Sequence, residues 1–108
     1  MNYLGEFEQV VLLAVVRLGN QAYGANIRRE IEARAERRVS IGAAYATLDR
    51  LVDKGYLRSS ESAGGPERGG QPRRHFSVTQ TGVAALEATR ALQGRMWSGI
   101  QLPKRKRV

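Results

Sequence analysis

The hydrophobic residues follow helical spacing in four segments of the chain and strand-like spacing in a short region before the last of them. The first segment, residues 4–18, is the most apolar. Apolar residues recur every three or four positions there, as on one face of a helix, and they also occupy most of the remaining positions. A helix that is apolar nearly all round has to be covered on several sides, which is difficult in so short a chain. The pattern therefore predicts that a second chain covers part of this helix. Gly19-Asn20 predicts the end of this first helix, because Gly is favoured just after the last helical turn.

The second and third segments predict a charged surface helix and a more apolar helix. The second helix extends from about Ala25 to Arg37 and alternates apolar with charged positions. The third follows Ser40, a favourable N-cap residue, and continues to about Lys54. Its inner face is predicted to contain Ile41, Ala44, Leu48, Leu51 and Val52, and its outer face Gly42, Ala43, Thr47, Arg50 and Lys54.

Two strands and a last helix complete the predicted elements. The pattern predicts strands at residues 56–60 and 73–78. The residues between them are rich in glycine and proline, which predicts a loop. Thr79 or Thr81 is expected to cap a last helix that ends near Ser98. The order predicts a mainly α fold with a small β-hairpin (α+β): a winged helix-turn-helix domain over residues 1–78, a C-terminal helix over residues 79–100 and a basic, disordered tail over residues 101–108.

The charge balance favours a polyanionic partner. The 108 residues include 18 Lys and Arg and 10 Asp and Glu, which gives a net charge of +8, half of it in the tail. The absence of Cys excludes disulfides and thiolate chemistry, and His75, the only His, is expected to bind no metal. No cofactor is expected. An enzyme is not expected either, because no Ser–His–Asp set and no phosphate-binding glycine motif before a helix can be assembled.

The sequence predicts a cytoplasmic protein without membrane contact. The longest apolar run, residues 10–16, is much shorter than the roughly 20 residues of a membrane span. The N-terminus has acidic residues and lacks the basic region of a signal peptide.

Six pieces of the sequence, in matching order and spacing, resemble the short class of PadR-type transcriptional regulators. The pieces are residues 4–8, 22–27, 39–51, 54–57 and 73–79, together with Gly82. The resemblance extends over about residues 3–100. It departs from the family at Ala46, where proline is common, and at His75, where an aromatic residue is common.

The resemblance implies a homodimer on a pseudo-palindromic operator, usually acting as a repressor, with the C-terminal helix packed on the partner's N-terminal helix. In some members an aromatic residue of the last helix lines a cavity for a small aromatic effector. Trp97, with Met96, is the candidate here; the alternative is that Trp97 fills the dimer interface without a ligand. The predicted interface residues are Leu4, Phe7, Val11, Val15, Leu86, Leu92, Met96 and Trp97.

The predicted contacts with double-stranded DNA come from three places. The start of the second helix contributes Tyr23, which resembles a family phosphate contact or packs inside the protein. The third helix contributes Ser40, Gly42, Ala43, Tyr45, Thr47 and Arg50, and the hairpin contributes Gln71, Arg73 and Arg74. Tyr45 resembles a family DNA contact or is a core tyrosine, and Arg50 contacts phosphate or pairs with a neighbouring Asp.

Two other functions fit the same pattern. A winged helix can serve as a protein-interaction module, and the basic charge also permits RNA binding. The basic hairpin, with few acidic residues, argues against the protein-interaction module, whereas fold and charge alone do not exclude RNA binding. The tail at Lys104 to Arg107 is interpreted as a non-specific phosphate contact or a solvated end.

Overall fold

A computed structural model describes residues 3–62 and 73–106 of the chain. A single 3₁₀ turn at Gly19–Gln21 links the first two helices. The elements, in chain order, are α1 (Glu6–Leu18), α2 (Gly24–Ala35), α3 (Ile41–Asp53), β1 (Leu57–Ser62), β2 (Arg73–Val78) and α4 (Gln80–Trp97). The predicted order of three helices, a hairpin and a last helix is confirmed.

Side-chain caps fix where α3 and α4 begin. The Ser40 hydroxyl accepts a hydrogen bond from the Ala43 N–H at 3.0 Å, as predicted for an N-cap. Of the two candidate caps of α4, the structure uses Thr79. Its hydroxyl accepts from the Gly82 N–H at 3.0 Å and donates to the Gly55 carbonyl at 2.6 Å. The same side chain therefore starts α4 and fastens it to the end of α3.

The two strands form an antiparallel hairpin that is anchored between α1 and α2. Leu57 pairs with Val78 at one end of the register and Ser62 with Arg73 at the other. β2 has the predicted bounds, whereas β1 begins one residue later than expected and continues to Ser62. Phe76 is fully buried, and its N–H donates to the Ala22 carbonyl at 2.9 Å. This contact holds β2 against the core.

The core lies between α1, α2, α3 and β2. Its largest fully buried side chains are Val11, Leu12, Ile27, Ile31, Leu48, Leu51 and Phe76. α2, α3 and β2 pack against α1 and cover most of its apolar surface. Other elements of the same chain therefore cover apolar surface of α1 that the sequence pattern predicted a second chain to cover in part.

This packing corrects part of the predicted dimer interface. Leu4, Val11 and Val15 are buried within the single chain, so the prediction that they contact a partner is wrong. Phe7 is half-buried beneath the Arg37 guanidinium, whose carbon lies 4.9 Å from the ring centroid. The apolar side chains that α1 leaves exposed are Leu13 and Val16.

α4 is anchored along its first half and exposed along its second. Gly82, Ala85 and Thr89 are buried, and the Thr89 hydroxyl accepts a hydrogen bond from the Leu4 N–H at 3.0 Å. Beyond Thr89, Met96 is 70% exposed and Trp97 is 61% exposed. The radius of gyration is 16.6 Å, against about 13 Å for a compact domain of 100 residues. The chain is thus elongated, with the end of α4 largely exposed.

None of the helices in the described ranges is long and apolar enough to cross a membrane.

Candidate nucleic-acid interface

The exposed face of α3 is a stripe of small residues that ends at a carboxylate. Gly42, Ala43, Ala46 and Asp49 are exposed, and we call them the recognition stripe. Three of the four have no side chain larger than a methyl group. This allows the helix backbone to approach a partner surface closely.

The predicted phase of α3 is wrong at two positions. Thr47 is only 3% exposed, although it was predicted on the outer face. It lies three residues after Ala44 and four before Leu51, both buried, so it belongs to the inward stripe. Ile41, predicted on the inner face, is 60% exposed because it is the first residue of the helix. Thr47 therefore cannot face a groove of DNA in this conformation.

Tyr45 lies between α3 and the start of α2. Its side chain is half-buried, and a Cβ atom added at Gly24 would overlap the phenol oxygen and ring of Tyr45. The first turn of α2 can approach this ring because residue 24 is glycine. The core alternative for Tyr45 is thus correct in part, while the exposed part of the ring lines the groove described next.

A groove with three arginines lies beside the recognition stripe. It has a volume of about 280 Å³ and lies between the start of α2, α3 and β2; we call it the arginine groove. Its lining residues are Tyr23, Gly24, Ala25, Asn26, Arg29, Tyr45, Arg73 and Arg74. The N-terminus of α2, where backbone N–H groups lack helical partners, faces the same groove and favours an anion there.

Arg29 was not among the predicted site residues. It sits in a helix of alternating charges, and nothing in that alternation separates one arginine from the next. In the structure its Nη2 donates to the Asn26 side-chain oxygen at 2.6 Å. This hydrogen bond directs Arg29 along the first turns of α2, toward the groove.

Arg73 rests on an aromatic side chain. The carbon of its guanidinium lies 3.7 Å from the centroid of the Tyr23 ring, and the His75 ring meets Tyr23 edge-on at 5.1 Å between centroids. Tyr23 thus packs against Arg73 and His75 and also lines the arginine groove, and its contact with phosphate stays a prediction. The cation–π contact orients Arg73 without neutralising its charge.

Arg74, in contrast, is paired with a carboxylate of α3. Its Nη1 lies 2.9 Å from Asp49 Oδ1 and donates a hydrogen bond to it. The same guanidinium lies 4.9 Å from the Phe76 ring centroid. The two neighbouring arginines of β2 therefore differ: Arg73 forms no ion pair with any residue that the structure describes, and Arg74 links the hairpin to the recognition stripe.

Arg50 faces α1 rather than the groove. Its predicted alternatives were phosphate or a neighbouring Asp, but the carboxylate nearest to it is Glu8, at 4.0 Å. Glu8 also accepts from Lys54 at 2.8 Å and from the Gly5 N–H at 3.1 Å. The Lys54 hydrogen bond, with smaller contributions from the Gly5 N–H and the two positive charges, lowers the pKa of Glu8, although burial opposes the shift.

Five predicted residues and His75 remain to be placed. Gln71 lies outside the described residues. His75 Nε2 lies 3.3 Å from the Gly19 carbonyl oxygen. Within residues 3–62 and 73–106, no group of three or more His, Asp or Glu side chains could hold a metal ion. Met96 and Trp97 lie on the exposed half of α4, far along the chain from the groove, while Leu86 and Leu92 are half-buried.

Comparison with known proteins gives one family and many related folds. The transcriptional regulator PadR-like family matches residues 12–88. F93 from STIV, a winged-helix DNA-binding protein, is 21% identical, with a TM-score of 0.70 over 93% of this chain and 100% of that one. A PadR family transcriptional regulator from Eggerthella lenta is 24% identical, with a TM-score of 0.67 over 87% and 81%.

A further structure agrees with these two. A PadR-like transcription factor from Bacteroides fragilis is 22% identical, with a TM-score of 0.69 over 83% of this chain and 82% of that one. At these identities the three structures establish the winged-helix fold. No curated protein matches the sequence.

Proposed function

The chain belongs to the PadR-like family of transcriptional regulators, and from this premise we propose that it acts as a homodimeric repressor on a pseudo-palindromic DNA operator. Members of this family are DNA-binding regulators and not enzymes. The observation that carries the proposal is the position of the recognition stripe directly beside the arginine groove. A helix without bulky side chains enters a major groove, and the neighbouring arginines hold the DNA backbone.

The two parts of this surface have different tasks in the proposal. The major groove, about 12 Å wide, admits one helix, and Gly42, Ala43 and Ala46 leave room for it to approach base edges. Arg29 and Arg73, with the N-terminus of α2, contact phosphates and fix the orientation of the helix. These contacts are independent of sequence and are weakened by salt.

The second chain of the proposed dimer covers the distal half of α4, residues 90–97. Met96 and Trp97 are large apolar side chains there, and Leu13 and Val16 are exposed on α1. Packing the distal half of α4 on α1 of the partner removes both apolar surfaces from water. A two-fold axis between two such chains places two recognition helices on one face, as a pseudo-palindromic operator requires.

The proposal is tested by salt-dependent binding to a pool of double-stranded DNA. Fluorescence anisotropy at several salt concentrations gives the slope of log affinity against log salt. Arg29→Ala and Arg73→Ala are each expected to reduce the magnitude of this slope by about one. Arg34→Ala is the matched control: this arginine lies at the other end of α2 and pairs with Glu30 at 2.9 Å. It should leave the slope unchanged.

Other outcomes would decide against DNA regulation. Equal or tighter binding of single-stranded RNA would support the RNA-binding alternative. The absence of binding to any nucleic acid at low salt would support a protein-interaction module.

The proposal includes relief of repression by a small aromatic effector that contacts Trp97 and Met96 at the centre of the dimer. What supports it is the exposure of both side chains on the helix end assigned to the dimer. Titration with planar aromatic compounds should quench Trp97 fluorescence and release the DNA. Unchanged fluorescence across a broad panel would assign Trp97 to dimer packing alone.

A further inference from the structure

We propose that Asp49 selects the base pair at one position of each operator half-site, by accepting a hydrogen bond from the exocyclic amine of cytosine in the major groove. The inference rests on the DNA-binding function proposed above, since it concerns the same surface. It assigns sequence selectivity to a residue that neither the charge pattern nor the hydrophobic pattern of the chain singles out.

The side chains at the start of α3 offer few hydrogen-bonding groups to a base. Gly42, Ala43 and Ala46 present only backbone and methyl groups. The Ser40 hydroxyl is used in capping the helix, through its hydrogen bond from the Ala43 N–H. Thr47 is buried. Of these side chains only the Ser40 hydroxyl keeps a proton that it can donate, and Ser40 is the cap before the helix, outside the recognition stripe.

The remaining polar side chains in the middle of α3 are directed elsewhere. Tyr45 lies against Gly24 at the start of α2, and Arg50 faces Glu8 of α1. Asp49, by contrast, is 57% exposed and lies three residues after Ala46, on the same stripe. It is therefore the polar group that the recognition stripe presents to a groove of DNA.

Arg74 sets the orientation of this carboxylate. Its hydrogen bond of 2.9 Å occupies Asp49 Oδ1, and β2 is fixed in turn by the hydrogen bond from Phe76 to Ala22. Within the described residues, Asp49 Oδ2 accepts no hydrogen bond from the protein. One carboxylate oxygen of Asp49 is thus hydrogen-bonded to Arg74 of the hairpin, and the other is available to a hydrogen-bond donor on DNA.

The chemistry of a carboxylate then selects the base. An ionised Asp is an acceptor only. The major-groove edges of guanine and thymine present acceptors, which repel it, and adenine places the N7 acceptor next to its amine. Cytosine presents only the N4 donor. Asp49 therefore favours cytosine and disfavours the other three bases.

The negative charge also penalises incorrect binding. At a site without the cytosine amine, Asp49 is desolvated without a new partner and repels nearby phosphates. Selectivity of this kind arises from the cost of wrong sites as much as from the gain at the right one.

The test begins with the wild-type protein and a pool of duplexes that carry a randomised inverted repeat. Selection gives the preferred duplex, and anisotropy then measures the affinity for all single-base changes in one half-site. For Asp49→Ala, the preference for cytosine at one position is expected to fall about tenfold, with the other positions unchanged. For Asp49→Asn, the preference at that position should move to adenine, because the amide both donates and accepts.

Two further variants separate base contact from charge and from folding. Asp53→Asn removes the same charge from an exposed position one turn further along α3. It should change the affinity for all duplexes by one factor and leave the cytosine preference intact. Arg74→Ala should weaken the cytosine preference, and Arg74→Lys should restore part of it, because Arg74 acts here as a positioning residue. Thermal unfolding by circular dichroism checks that each variant is folded.

The outcomes distinguish this inference from the proposed function. If the wild-type protein selects no duplex from the pool, the proposed function fails. If it selects a duplex but folded Asp49→Ala and Asp49→Asn variants change the affinity for every base by the same factor, the base contact is refuted and Asp49 serves only to hold the hairpin.

Discussion

Two regions of the molecule differ in whether their side chains have partners within one chain. One is the surface formed by α3 and β2, and the other is the distal half of α4. On the first surface the polar side chains have partners within the chain: Arg74 pairs with Asp49, and Arg73 lies on Tyr23. On the distal half of α4, Met96 and Trp97 stand exposed. One chain thus preorganises the proposed DNA contacts, whereas the exposed apolar end of α4 is the part that the second chain of the proposed dimer covers.

Changes at these two regions should therefore have separable effects. The first half of α4 is held by the close approach of Gly82 to the Tyr56 carbonyl and by the hydrogen bond between Leu4 and Thr89. These contacts lie far from Trp97 along the helix. Substitution at the distal end is expected to disrupt the dimer and leave the fold of each chain intact.

The largest effect is expected for Trp97→Asp. A buried aromatic anchor at an interface contributes on the order of 2–4 kcal/mol, so the dimer dissociation constant should rise by about 30-fold or more. Sedimentation equilibrium measures this constant, and the unfolding midpoint of the monomer checks the fold. Thr81→Asp, which introduces the same charge at an exposed position of the anchored half, is the control. A dimer that keeps its wild-type constant with Asp at position 97 would refute the proposed role of α4.

An intermediate effect is expected on the other surface for Gly24→Ala. The new Cβ overlaps the phenol of Tyr45, so the ring, which lines the arginine groove, must shift. Crowding of this kind costs roughly 1–3 kcal/mol of unfolding free energy. DNA affinity should fall while the dimer constant remains unchanged, whereas Trp97→Asp raises the dimer dissociation constant.

Gly42→Ala provides the matched control for that substitution. The space around Gly42 is open, and Ala is favoured over Gly in a helix by roughly 0.5–1 kcal/mol. Chemical denaturation should therefore show Gly42→Ala to be as stable as wild type or slightly more stable. The double variant Gly24→Ala, Tyr45→Ala should regain part of the stability that Gly24→Ala loses. Absence of any recovery would mean that the Tyr45 contact does not explain the cost.

The fold was predictable from the sequence because its signals are local. The Ser40 cap, the bounds of β2 and the order of the elements depend on residues close together in the chain. The sequence did not predict which side of α3 is buried. Several residues of this helix are small, so the pattern does not distinguish the two sides; they are Gly42, Ala43, Ala46 and Thr47. Thr47 was placed outside for this reason.

The site was predicted only in part, because its partners come from distant segments. Arg73 and Arg74 are recognisable as basic hairpin residues, but only the folded chain places one on Tyr23 and the other on Asp49. Val11 and Val15 illustrate the same limit for the dimer. An apolar pattern shows that a face must be covered, without showing whether the chain itself or a partner covers it.

The smallest effect is expected at Glu8, which belongs to neither surface. Glu8→Gln removes the ion pair with Lys54 and should lower the free energy of unfolding by about 1 kcal/mol at pH 7, because the lysine is partly exposed. Since folding lowers the pKa of Glu8 below its ordinary value of 4.5, this stabilisation is complete above about pH 4.5 and is lost as the pH falls through the folded pKa. Denaturation at several pH values should show the wild-type and variant proteins converging in acid, while the dimer constant and DNA affinity remain the same. A stability difference that is equal at pH 7 and pH 3 would show that the ionisation of Glu8 is not its source.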